Sequence, residues 1–456
     1  MVKSGNNIHT IDLQHLSRRD VLWLLGLAGG SMLTSGVLGG CAVDPVTGEQ
    51  QLMFMSESQE IALDRERSPH QFSADYGPAQ DKRLSSYLDQ IGHDLSTRSH
   101  RPKMPYSFRA VNASYINAYA FPGGSIAATR GILLELNNEA ELAALLGHEI
   151  GHVNARHAAE RATKGIIATT LVSGAATYAS TTDYRDYAGL VQSLGGVGAG
   201  ALLAHYSREN EREADALGME YMTRAGYTPD GMIGLMETLT KQGRNKPGAI
   251  EMMFATHPMS TERYNTARQR SQTQYARFMQ QPDNRERYMD YTADLRRIRG
   301  AVTAMQDGEK EMRRKRYRDA ENHFDHALQI APEDYAALVM MAKCQVAMNR
   351  PDRAGQYTEQ ASLICPQEAQ ARHVLGISMI MNRRFGQANQ VFSNYEEMLP
   401  GNTDTVFFKA LSLEGMQRQQ AAAREYYRYL RLVNSGPQAR HAHNRLIDWG
   451  YLSPDR

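Results

Sequence analysis

The last third of the chain repeats itself every 34 residues, and that period leaves few folds open. Ala320, Ala354, Ala388 and Ala422 stand in register, as do Pro332, Pro366 and Pro400, with Asn434 at the next equivalent place. Phe324, Phe392 and Tyr426 share a further phase. A period of this length is one pair of helices stacked on its copies, because a single pair cannot bury its apolar face alone. The alanines fall where two helices meet, and proline follows the second helix. Gly308 and Gly376 fall where the first helix needs a small residue. The frames are 301–334, 335–368, 369–402 and 403–436. Pro437 opens a last helix running to Trp449, which makes 437–456 a cap.

Chemistry is concentrated upstream. The run 139–160 reads EAELAALLGHEIGHVNARHAAE. Asn138 is placed to cap it, with Glu141 three residues on, so a helix is expected whatever the histidines do. On a helix, residues four apart share a face. His148 and His152 can therefore present two imidazoles to one ion, with the Glu149 carboxylate beside them to take a proton from water. Gly147 and Gly151 flank the pair. Glycine inside a helix costs about 1 kcal/mol relative to alanine, so two of them imply a close approach by something. The chain has 15 histidines and only three cysteines, Cys41, Cys344 and Cys365, so imidazole and carboxylate are the available ligands. Cys344 and Cys365 fall at opposite ends of one helix pair and are expected to be free thiols.

Zinc needs a third protein ligand. Ser207-Arg208-Glu209-Asn210-Glu211-Arg212-Glu213-Ala214-Asp215 opens a second helix ending near Gly226, and spacing alone does not choose among its three glutamates. With HExxH followed some 60 residues on by Glu-x-x-x-Asp, the sequence resembles the M48 metallopeptidases. The resemblance implies Glu211 as the third ligand. It makes Asp215, one turn on, the group that orients a ligating imidazole. Asn117-Ala118-Tyr119-Ala120 resembles the family's strand before the HExxH helix, with Asn117 and Ala118 on an edge that could pair with an extended substrate. Thr256-His257-Pro258 resembles a segment of the periplasmic members, in which His257 would be a fourth ligand or an oxyanion group. His205 and Tyr206 are weaker oxyanion candidates. His93 and His157 read as surface groups. The 34-residue period is that of tetratricopeptide repeats, whose stacks bind peptides and proteins.

The N-terminus reads as an address. Lys3, Arg18 and Arg19 precede the weakly apolar, glycine-rich stretch 21–40, which ends Leu38-Gly39-Gly40-Cys41. That ending resembles a lipobox in which Cys41 is lipidated, and Ser17 to Leu22 resembles a twin-arginine export signal. The stretch 165–204 holds two apolar, glycine-interrupted runs, each short of a membrane span, and reads as a helical hairpin.

The expected fold class is mainly α: a zincin-like α+β peptidase domain with a small sheet, then an α-solenoid. The expected limits are a signal peptide at 1–40 and a tether at 41–55. The peptidase follows at 56–280, a charged linker helix at 281–300, and the repeats at 301–436. The expected cofactor is one zinc ion per chain. The resemblance implies a lipid-anchored protein of the periplasm, at the outer membrane, that hydrolyses misfolded or unfolded proteins. Its repeats would hold a protein partner, with outer-membrane assembly machinery the family's precedent. The competing reading is an assembly chaperone or adaptor with a latent or structural zinc site. Lysine plus arginine number 51 and aspartate plus glutamate 50, which leaves no electrostatic footprint for nucleic acid.

Overall fold

The computed structural model describes residues 42–51, 53–163 and 206–453. The export segment, Cys41 and the 165–204 runs lie outside them. A two-stranded ribbon, β1 (Ala42–Val43) with β2 (Gln50–Gln51), leads into α1 (Glu57–Ala74). Ser56 and Gln59 form a reciprocal capping box at its start. After α2 (Lys82–Ser96) come β3 (Ser107–Val111), β4 (Ala118–Ala120) and β5 (Ser125–Thr129). Their order in the sheet is β3-β5-β4. β5 pairs parallel with β3, Phe108 opposite Ile126, and antiparallel with β4, Ala118 opposite Ala128. Among the described residues β4 is thus an edge strand. The short α3 (Arg130–Glu135) and then α4 (Glu139–Asn154) follow, and α4 packs on β4. All sixteen residues of α4 are buried, so it is the central rod of the domain rather than a surface helix.

A second layer follows: α5 (Arg208–Arg224) and α6 (Asp230–Asn245) pack against α4, and α7 (Pro247–Thr256) and α8 (Thr261–Gln272) pack on α6. The charged stretch expected to be a linker helix is instead two short helices, α9 (Arg285–Tyr291) and α10 (Ala293–Arg297). They pack rather than bridge. Tyr288 is fully buried and its hydroxyl donates to the Leu133 carbonyl at 2.6 Å.

The repeats are four helix pairs: α11 (Arg299–Arg313) with α12 (Tyr317–Ile330), α13 (Tyr335–Ala347) with α14 (Pro351–Ile364), α15 (Gln370–Met381) with α16 (Phe385–Met398), and α17 (Thr403–Gly415) with α18 (Gln419–Leu430). The cap is α19 (Pro437–Asp448). Ala320, Ala354, Ala388 and Ala422 are wholly buried, as the period requires. A Cβ on Gly308 would stand 2.3 Å from the Phe324 ring, and one on Gly376 2.5 Å from the Phe392 ring. Cys344 and Cys365 are free. The array is not free-standing. Arg130 pairs with Asp334 at 2.5 Å, Ser73 donates to Glu368 at 2.5 Å, and Lys343 Nζ lies 3.3 Å from the Tyr76 hydroxyl. The second pair's first helix, α13, is buried from Tyr335 through Val346, enclosed mainly by the neighbouring repeat helices. Among the described residues no helix is long and apolar enough to cross a membrane.

Candidate active site

The two helix glycines are explained by α5. A Cβ on Gly151 would lie 3.0 Å from both the Cα and the carbonyl oxygen of Ala214, and one on Gly147 would lie 3.0 Å from the Gly218 oxygen. The helices cross backbone against backbone, which side chains would forbid. That crossing sets Glu211, one turn before Ala214, opposite the two histidines of α4. Ser207 and Asn210 cap α5 reciprocally just ahead of it.

Four buried side chains converge there: His148, His152, Glu211 and His257, with one ligand atom from each within 4.8 Å of all the others. His148 Nε2 and His152 Nε2 are 3.1 Å apart. Glu211 Oε1 lies 3.4 Å from His152 Nε2 and 3.0 Å from His257 Nδ1. His257 Nδ1 is 3.3 Å from His148 Nε2. The Pro258 that follows His257 ends α7, so this imidazole enters from a helix terminus rather than a helix face. Glu149 is wholly buried, and among the described residues neither of its carboxylate oxygens has a hydrogen-bond partner. His257 Nε2 lies 3.7 Å from Glu149 Oε1. Burial pushes the Glu149 carboxyl above its ordinary value, while Glu211 is held well below because His257, His152 and His148 outweigh its burial. Two imidazoles, a carboxylate held ionised and a buried, unpartnered second carboxylate fit a divalent zinc-type ion.

Asp215 accepts from His148 Nδ1 at 3.0 Å, the kind of partner the family resemblance implies. Its other partner is absent from the sequence reading. Arg263 of α8 grips Asp215 with two bonds of 2.7 Å and reaches Glu211 Oε2 at 2.6 Å. Burial raises the Asp215 carboxyl, and Arg263 outweighs it, so Asp215 stays below its ordinary value. Tyr206 stacks on the His152 ring at 3.9 Å between centroids, and His205 lies outside the described residues. His93 is exposed, as expected, but His157 is not a surface group: it is 2% exposed, with Nδ1 2.9 Å from His152 Nδ1. A cavity lined by Met232, Met236, Met253 and Met259, with Asp215 and Arg263 at its wall, abuts His148 and His257. Asn117 and Ala118 are fully buried at the start of β4.

The Peptidase family M48 model matches residues 82–271, and a tetratricopeptide repeat model matches 311–376. The metalloprotease YcaL of Escherichia coli K12 is 30% identical over 204 residues, covering 43% of this chain and 71% of YcaL. The chain belongs to peptidase family M48. A beta-barrel assembly-enhancing protease of Yersinia pestis is 29% identical over 260 residues, 55% of this chain and 51% of that protein. This M48 chain thus spans about half the length of that relative. The Escherichia coli K12 protease of the same name is 29% identical, over 42% of this chain and 39% of its own.

Proposed function

We propose that this M48 chain is an exported zinc endopeptidase acting on misfolded or unfolded proteins of the cell envelope. The observation that carries the reading is the convergence of His148, His152 and Glu211 beside a buried Glu149 carboxylate that has no hydrogen-bond partner among the described residues. His148 and His152 through Nε2 and Glu211 through Oε1 would hold one ion. With zinc held there, the site gains a Lewis acid that polarises a carbonyl and brings water's pKa towards neutrality. Glu149, its basicity raised by burial, takes the proton of the attacking water and passes it to the leaving amine. Asp215, locked by Arg263, holds the His148 ring in one tautomer. Asn117 and Ala118 stand at the head of the edge strand beside α4; both are buried and Asn117 bonds back to Thr129, so an extended substrate would pair there only once a covering segment moved aside.

The names of the barrel-assembly relatives support outer-membrane proteins as clients, and the repeats suit a protein partner, with assembly machinery one candidate. Leu38 to Cys41 supports a lipid anchor in the periplasm, with 41–55 as tether, 56–280 as peptidase, 301–436 as repeats and 437–456 as cap. The test is Glu149→Gln. The variant should keep its zinc and lose about 100-fold or more in hydrolysis of an unfolded outer-membrane protein. Equal rates in variant and parent would end the peptidase reading.

His257 supports a second reading. Four protein ligands close a zinc site, as structural sites are closed, which suits a latent enzyme or an adaptor. His257→Ala should then speed hydrolysis. A slower variant would assign His257 to the oxyanion instead.

A further inference from the structure

The two ligand histidines of α4 are held in unlike ways. His148 leans on a carboxylate, Asp215. His152 leans on a second imidazole. Its Nδ1 lies 2.9 Å from His157 Nδ1, and His157 Nε2 lies 3.2 Å from Glu213 Oε2. We propose that His157, oriented by Glu213, is a positioning residue that fixes the tautomer and ring angle of His152 for metal binding. The proposal rests on the zinc reading above.

Proton placement makes the chain directional. Two ring nitrogens at hydrogen-bond distance need one donor and one acceptor. If His152 ligates through Nε2, its proton sits on Nδ1 and it must donate. His157 Nδ1 then accepts, and the His157 proton sits on Nε2, where Glu213 accepts it. No other tautomer of His157 satisfies both neighbours at once. Metal-bound imidazoles commonly donate their free N–H to a carboxylate or carbonyl, so the interposed ring needs a reason.

Burial supplies one. A carboxylate placed directly on His152 would stand fully buried beside Glu211 and Glu149, at a heavy desolvation cost. Through His157 the carboxylate stands one ring further out. The Glu213 side chain is 36% exposed, against 2% for the His157 side chain.

The backbone is shaped for this contact. Five residues on along an unbroken helix would point about 140° away. Instead α4 stops at Asn154, and Arg156 adopts a left-handed conformation with φ 56°. That conformation costs a non-glycine residue roughly 1–2 kcal/mol. It is held by Arg156 Nε to Glu60 Oε1 at 3.0 Å and by a terminal nitrogen to the Met55 carbonyl at 2.6 Å. Glu60 is itself fully buried and also bonds Arg101 at 2.8 Å. The turn brings His157 back beneath the His152 ring.

The test uses the full chain with zinc, read by chelator competition, and with cobalt, read by the metal-shifted imidazole N–H signals in NMR. His157→Leu should weaken zinc binding about 10- to 100-fold and speed exchange of the His152 N–H. His157→Asn, whose amide oxygen can sit where Nδ1 sits, should restore affinity to within about threefold of the parent. Unfolding in chelator, without metal, checks that both variants fold. His157→Leu binding as tightly as the parent would overturn the proposal. So would His157→Asn binding as weakly as His157→Leu, since packing of the ring alone would then explain the loss. A parent chain that binds no zinc defeats the metal reading instead.

Discussion

Gly151→Ala sets two effects against each other, and the structure decides between them. In a helix interior alanine is favoured over glycine by about 1 kcal/mol. The new methyl would sit 3.0 Å from the Cα and oxygen of Ala214 and 3.3 Å from Leu217 Cβ. Two of these three atoms are backbone and cannot rotate away. Carbon atoms pack at about 3.5–4.0 Å, so α4 and α5 must part by roughly 0.5–1 Å. Overpacking of this kind costs about 1–3 kcal/mol. The net effect on stability is therefore a loss of roughly 0–2 kcal/mol. The effect on the metal is larger in proportion. Ligand distances tolerate only about 0.2 Å, and Glu211 rides on α5 one turn from the contact. Zinc affinity should fall at least about tenfold, with unfolding of the metal-free chain shifted by no more than that loss of roughly 0–2 kcal/mol. Chelator competition and thermal unfolding on the same sample read both quantities. Gly355→Ala is the control: Gly355 lies within α14, with its nearest neighbour, Ser378 Oγ, 3.9 Å away, and should gain about 0.5–1 kcal/mol. A Gly151→Ala chain that is stabilised like the control and binds zinc like the parent would refute the helix crossing.

Other perturbations test the charges. Arg263→Met leaves Asp215 and Glu211 buried without their cation, so the metal-free chain should lose about 3–5 kcal/mol, and less with zinc present; an equal loss in both states would break this account. Burial lifts the Asp404 carboxyl to about 6. A raised acid contributes stability below its unfolded value near 4 and loses it as pH rises through 6, so Asp404→Asn should be roughly 1–3 kcal/mol more stable than the parent at pH 7.5 and equal to it near pH 4. Denaturant midpoints at the two pH values check the sign. His373 is the reverse case. Burial first, then Lys343, depresses it to about 3, so the stability it lends is present above about 6.5 and drains away as pH falls towards 3. Its ring packs among Phe392, Tyr395 and Phe408. His373→Phe should therefore outlast the parent at pH 5 by about 2 kcal/mol, and an unchanged acid midpoint would count against it.

What was legible in the sequence follows from where each interaction lives. His148, Glu149 and His152 are set by one helical turn, so spacing alone brings them together. The repeat frames are legible for a similar reason: each contact between paired helices recurs at one fixed separation. Glu211 sits among three glutamates on a charged segment, and only the family resemblance singled it out. The glycines at 147 and 151 announced a close approach but not its partner, because nothing local distinguishes Ala214 or Gly218 from other small residues. Arg263 carried no signal at all, since an arginine in a polar helix is ordinarily solvated. His157 was actively misleading. Helical periodicity turns it away from His152, and only the left-handed Arg156, anchored by a carboxylate almost a hundred residues earlier, reverses that. The same holds for α13. Its apolar run reads as an ordinary repeat helix, yet Lys343 and Tyr335 within it are buried against Tyr76 and the Glu368 neighbourhood. Metal binding here thus depends on two kinds of order. One is written in residue spacing and survives any fold that keeps the helix. The other, which sets tautomers and charge balance, exists only when distant segments close on one another.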